Sequence, residues 1–233
     1  MGTEEFSIVN NWIGWGEPEN GLWFIGVEEA GVWNCDGENQ LDESRRKIRL
    51  MSNESFTRYL NKDARGGVNW PIAVVTAKIS SLVSGSKLPW RRYREEVLWL
   101  NRSGTFNGNI FPLGKPNLKS SAWPAGYKEL FGFSAAESES YLYEVKCSRY
   151  RRFRELRDEK RPQAIICFGM SHWNEFENIF VKNPEINSDY LDRKTKVYER
   201  DRVIFTRHFS NGMPDSTVDF IAEQLKSWNV SLA

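Results

Sequence analysis

Three residues able to do chemistry stand at or just beyond apolar runs. Leu22-Trp23-Phe24-Ile25 runs into Gly26-Val27-Glu28-Glu29-Ala30-Gly31, and Phe106-Asn107-Gly108 leads to Asn109-Ile110-Phe111-Pro112-Leu113. Val203-Ile204-Phe205-Thr206 runs into Arg207-His208-Phe209-Ser210-Asn211. A carboxylate activates water, an amide reads a base edge by donating and accepting, and an imidazole stabilises an anion. Open α/β sheets bind ligands beyond the carboxyl ends of their strands. If the three runs are neighbouring parallel strands, Glu28, Asn109 and His208 converge on one cleft. Each has a plainer reading as well. Glu28 caps the backbone N–H groups of a loop, Asn109 satisfies a turn, and His208 ties down the last loop.

Strands must hold these residues in place, and the pattern supplies them. Residues 22–27 read as a buried strand after the turn 16–21, and 106–111 as a second strand stopped by Pro112. Ala164-Ile165-Ile166-Cys167-Phe168 is a continuous apolar run, as in a central parallel strand, and 203–206 is the last buried strand. Residues 40–100 read as mostly helical. One helix is capped by Ser52 or Asn53 and carries Phe56, Tyr59 and Leu60. A second opens at Pro71, and a third covers 89–100. Residues 115–127 read as a loop, 134–160 as a long helix ended by Pro162, and 196–200 as an edge strand. Ser216 opens a closing helix with Asp219 in capping-box position and Val218, Ile221, Ala222 and Leu225 inward. Strands alternating with helices predict an α/β fold: a three-layer sandwich around a central, mainly parallel sheet of about four strands.

The 233 residues fit one domain, 1–233, with the helical stretch 40–100 as an insertion. Hydrophobic residues make up 40% and charged residues 27%, which excludes disorder and permits a packed core. A net charge of +1 excludes wholesale electrostatic capture of nucleic acid and leaves room for local basic patches. Two qualify: Arg91-Arg92-Tyr93-Arg94 and the segment 146–161, for which a solvated helix face is the first reading. Cys35, Cys147 and Cys167 form no C-x-x-C, so neither a zinc site nor an iron–sulfur cluster is expected, nor any other metal or cofactor. No apolar stretch reaches the roughly 18 residues of a membrane span, and Met1-Gly2-Thr3-Glu4-Glu5 lacks signal-peptide character. A reduced, cytoplasmic location is expected, or a nuclear one in a eukaryote.

In order and spacing the three patches resemble the uracil-DNA glycosylase superfamily. Its first motif, of type G-Q-D-P-Y, G-M-N-P-G or G-E-x-P-G, is similar to Gly26-Val27-Glu28-Glu29-Ala30-Gly31. Its second places an Asn at a strand end. In the single-strand-selective monofunctional branch it reads N-x-C-P-L, which Asn109-Ile110-Phe111-Pro112-Leu113 resembles. Its third, H-P-S-P, is similar to His208-Phe209-Ser210-Asn211. The resemblance covers about 20–228, apart from 40–100. This sequence departs from it where Glu29 or Ala30 replaces the proline of the first motif and Phe209 that of the third.

The resemblance implies a base-excision enzyme hydrolysing the N-glycosidic bond of a deaminated pyrimidine, uracil above all, in single- or double-stranded DNA. Glu28 would stabilise the sugar cation and orient water, and His208 would donate to the departing base; both would be catalytic. Asn109 would read O4 and N3–H of the base. Glu29 is a second carboxylate candidate, because without the proline the register can shift by one. Trp33 would stack on the base, with core packing as its alternative. Met213, in the loop 210–215, would be the wedge entering the duplex. Lys115, Arg149, Arg152 and Arg207 would meet phosphates.

Two rivals stand beside this reading. The missing prolines fit a member of the same fold that binds nucleic acid or a nucleotide and cleaves nothing. Gly169-Met170-Ser171-His172-Trp173 follows a strand and precedes a helix, as a nucleophile elbow does, but Trp173 stands where close packing calls for glycine. Ser171 therefore reads as a helix cap rather than a nucleophile.

Overall fold

In the computed structural model, residues 2–19, 21–28, 32–33, 35, 37–51, 56–57, 70–115, 123–182, 188–192, 194–211 and 213–232 are described. They form an α/β protein with a mixed, mostly parallel sheet flanked by helices. The strands are β1 (Gly14–Gly16), β2 (Leu22–Glu28), the two-residue β3 (Phe56–Thr57), β4 (Thr105–Phe111), β5 (Ala164–Phe168), β6 (Ser188–Asp192), β7 (Thr195–Tyr198) and β8 (Val203–Thr206). Their order is β3-β1-β4-β2-β5-β8-β7-β6. The expected four strands are its centre, β4-β2-β5-β8, and strands are added on both sides.

The parallel core follows from the apolar runs. Leu22 pairs with Ala164 and Phe24 with Ile166, and Ile166 in turn pairs with Ile204. The Leu22 N–H donates to the Gly104 carbonyl, so β2 and β4 start side by side. Strands buried on both faces need no polar alternation, and β2, β5 and β8 show none among their central residues; β4 is buried throughout as well but carries Thr105, Asn107 and Asn109 at alternate positions. The segment 196–200 was expected as an edge. Instead, β7 lies inside the sheet, antiparallel to β8, and β6 pairs with its other side.

The chain forms two compact units. The first comprises 1–14, 27–56 and 109–155, the second 15–26, 57–108 and 156–233. In the second, alternation along the strands sorts side chains onto two faces. Leu22, Phe24, Ile166, Phe168 and Ile204 pack with α3 (Pro71–Val83) and α9 (Asp215–Ser227). Phe205 faces the other way and meets Trp173 and Phe176 of α8 (Trp173–Phe180). Pro71 takes the first turn of α3, where a missing N–H costs nothing. The third expected helix is shorter than 89–100: α4 (Trp90–Glu96) ends before Trp99, which takes a left-handed φ of 57°. Val218, Ile221, Ala222 and Leu225 are buried as expected. However, α9 starts at Asp215 with Pro214 as its N-cap, so Ser216 is not the cap.

In the first unit, α1 (Glu4–Asn11) packs on α2 (Glu38–Arg49) and α5 (Tyr127–Phe131). The expected helix 134–160 is a chain of helical pieces, with a 3-10 turn (Ala135–Glu137), α6 (Ser138–Val145), a π turn (Lys146–Tyr150) and α7 (Arg151–Lys160). The helix expected around Phe56 is overturned at that residue, because Phe56 and Thr57 are strand. Ser52, Asn53, Tyr59 and Leu60 lie outside the described residues. No helix among those residues is long and apolar enough to cross a membrane.

Candidate functional site

Glu28 is the last residue of β2, and only 11% of its side chain is exposed. Burial pushes its carboxyl from 4.5 up to about 7, while the Lys115 ammonium and backbone N–H pull the other way. The ammonium lies 3.9 Å from Oε2, a loose pair that compensates only part of the lost hydration. The group therefore exchanges its proton near neutrality, as a general acid or base must. Among the described residues, its plainer role as a cap is seen in that backbone contact from Lys115.

A buried aromatic wall surrounds the pair. The Lys115 ammonium sits 5.5 Å from the Trp123 ring centre, and Trp123 meets Tyr127 and Tyr141 edge-on. Both tyrosine hydroxyls are held well above their ordinary values, by burial first, and the Glu28 charge adds to the rise. Tyr127 also joins the two loops leaving the strands. Its hydroxyl donates to the Gly114 carbonyl and accepts the Trp33 N–H at 3.1 Å. Gly126, just before α5, lets Cys35 approach, since a Cβ there would come 2.4 Å from the Cys35 carbonyl oxygen. Trp33 itself is half-buried, with its ring edge-on to Phe131.

Asn109 lies near the carboxyl end of β4 and is 5% exposed. Its backbone carbonyl accepts from Arg149 Nε at 2.9 Å and Nη2 at 2.8 Å. The expectation that Arg149 meets phosphate is corrected. It is 1% exposed, and its Nη1 donates to the carbonyls of Val9, Asn10 and Trp12. The fork of guanidinium donors clamps the end of α1 to the strand that carries Asn109. Lys115 is likewise largely buried against Glu28, whereas Arg152 is 40% exposed and lies 3.6 Å from Glu155. Glu29 lies outside the described residues.

In the second unit His208 follows β8, with its ring edge-on to Phe168. The Ser210 N–H donates to Nδ1 at 3.2 Å, and Ser210 Oγ lies 2.6 Å from the same nitrogen. Burial lowers the ring's proton affinity. A neutral imidazole whose Nδ1 accepts a backbone N–H carries its proton on Nε2, and so presents a donor. Phe209 stacks on Phe168 at 4.2 Å, filling the core where the resembling motif has proline. Arg207 is half-buried, and Met213 packs partly buried against the core beside α9. Ser171 is exposed and caps no helix; its Oγ contacts His172 Nδ1 at 2.9 Å. Among the described residues no His, Cys, Asp or Glu cluster fits a metal ion.

The signal for Arg149 was present in the sequence. It falls four residues after Val145 and four before Phe153, on the buried stripe that begins at Tyr141. No signal of spacing links Glu28 to Lys115 or Tyr127, which meet it only through the fold. A comparison with protein-family models finds no match, and a search of curated proteins finds none either.

Proposed function

We propose that this protein is a nucleobase-releasing hydrolase of the uracil-DNA glycosylase type, with the three-layer sandwich that type implies. The supporting observation is Glu28, a buried carboxyl at the carboxyl end of a parallel strand with a proton affinity near neutrality. The reaction needs such a group. The N-glycosidic bond breaks with its electron pair leaving on the base, a cation develops on the sugar, and water adds to the sugar carbon. The Glu28 carboxylate stabilises that cation and takes the proton of the water. Asn109 offers an amide with both donor and acceptor to a pyrimidine edge. His208, neutral with its proton on Nε2, donates to the departing base. It follows the carboxyl end of β8 directly.

The test is release of base from single- and double-stranded DNA carrying uracil. Activity should rise with pH through about 7 as Glu28 loses its proton. Glu28→Gln and His208→Ala should each lose on the order of a hundred- to a thousandfold in rate. Full activity in both variants would discard the assigned residues. No release by the wild type from any deaminated base would discard the enzyme and leave a binding protein.

A further inference from the structure

The Arg91-Arg92-Tyr93-Arg94 segment plays no part in the chemistry above, yet the fold builds something specific from it. Trp90 opens α4, and three cations gather around its ring. The Arg91 guanidinium carbon is 4.7 Å from the ring centre, the Lys78 ammonium 5.4 Å, and the Arg94 guanidinium carbon 5.7 Å. Lys78 comes from α3, so two helices contribute. Helix stability does not explain the arrangement, since acids favour a helix's first turn and α4 has none there. Arg94 meets Glu95 at 3.1 Å. Arg91 is exposed and, among the described residues, has no carboxylate partner. Trp70, the N-cap of α3, lies eight residues before Lys78 against Trp99 and is 40% exposed.

This surface adjoins the segment that follows His208. The α3 helix packs on the 3-10 turn at 209–211 and on α9. The Lys78 ammonium also binds Asp215, the first residue of α9, at 2.7 Å. Asp215 is largely exposed.

We infer that Lys78 and Arg91, ordered around Trp90, hold the phosphodiester backbone of single-stranded nucleic acid, with Trp70 and Trp90 as stacking faces, while the largely buried Arg94 only helps to order the ring. Cations in a groove with aromatic platforms are how single strands are held without reading sequence. The inference rests on the reading above for the class of partner, and its test does not use base release. The probe is a fluorescein-labelled, uracil-free oligothymidylate, followed by anisotropy across a salt series. A single strand contributes about 0.7 to the slope of log affinity against log salt for each phosphate neutralised. Lys78→Ala with Arg91→Ala should therefore flatten the slope by about 1.4. Trp90→Leu should weaken binding roughly tenfold. An unchanged slope in the double variant, at an unchanged melting temperature, overturns the inference. So does wild-type binding to duplex as tight as to single strand, or no salt-dependent binding at all. If the double variant melts early, Arg91→Ala alone, at an exposed position, should flatten the slope by about 0.7 and decides the case. Salt-dependent binding without base release would sink the enzyme reading and leave this surface standing.

Discussion

Replacing Glu28 by Gln removes a carboxyl whose ionisation the fold opposes. The rise from 4.5 to about 7 means that ionising it costs about 3 kcal/mol more in the native state than in the unfolded chain. Solvent screening brings the expected figure nearer 2 kcal/mol. A carboxyl with a raised folded-state value holds its proton more tightly when folded. Below pH 4.5 both states are protonated, and the group contributes nothing to the pH dependence. Between 4.5 and about 7 the native state binds more protons than the unfolded chain, so stability falls as pH rises. Above about 7 the whole penalty is present. Gln has nearly the same shape and no charge, so the variant should escape the penalty. Urea unfolding of both proteins at about pH 4 and about pH 8.5 gives the difference between them at each pH, which cancels the other titrating groups. That difference should move in the variant's favour by about 2 kcal/mol between the two. A constant difference, or one moving towards the wild type, would mean that Lys115 outweighs burial. Glu28 would then be an ordinary ion-pair carboxylate with no claim to acid–base work. A variant that gains stability while losing function is the usual mark of an active-site group.

Two further outcomes follow from the surroundings of that carboxyl. Arg149→Met should destabilise the protein by about 3–5 kcal/mol in urea unfolding, because four carbonyls lose a buried charged donor; Arg149→Lys should lose nearly as much, having no fork to span them. A loss below about 1 kcal/mol would show that the carbonyls find other partners. Tyr127→Phe should cost about 2 kcal/mol by orphaning the Trp33 N–H and the Gly114 carbonyl. It should also speed hydrogen exchange at the Trp33 amide, and unchanged protection there would show that the hydroxyl does not join the two loops.

Most of the centre of the fold was legible because β2, β5 and β8 are short apolar runs with a turn signal at their ends, and Pro112 marks the end of the more polar β4. Residues 164–168 have no polar position and lie between Pro162 and Gly169, which fits a short strand covered on both faces. The additions to the sheet were not legible for the same physical reason. The β6 strand carries Ser188, Asp189 and Asp192, and β3 is two residues long, so neither has an apolar pattern to read. The helix expected at Phe56 gives way to strand at that residue because a cap residue followed by a few large apolar side chains fits a turn leading into a short strand equally well.

The candidate site was legible to the depth of its residue types and no further. That Glu28, Asn109 and His208 stand at or near the carboxyl ends of strands can be read from composition along the chain. That Glu28 holds its proton to about 7 cannot, because the effect comes from burial and from Lys115, both products of the fold. Arg149 shows how close a sequence can come. Tyr141, Val145, Arg149 and Phe153 recur every four residues, a spacing that overruns the 3.6-residue turn by about one residue in three steps. A single π turn absorbs about that excess, and the chain has one at Lys146–Tyr150. The widened turn keeps Arg149 on the buried stripe, where its guanidinium reaches the Asn109 carbonyl. A basic residue in step with an apolar stripe is therefore better read as a clamp on buried backbone than as a phosphate contact.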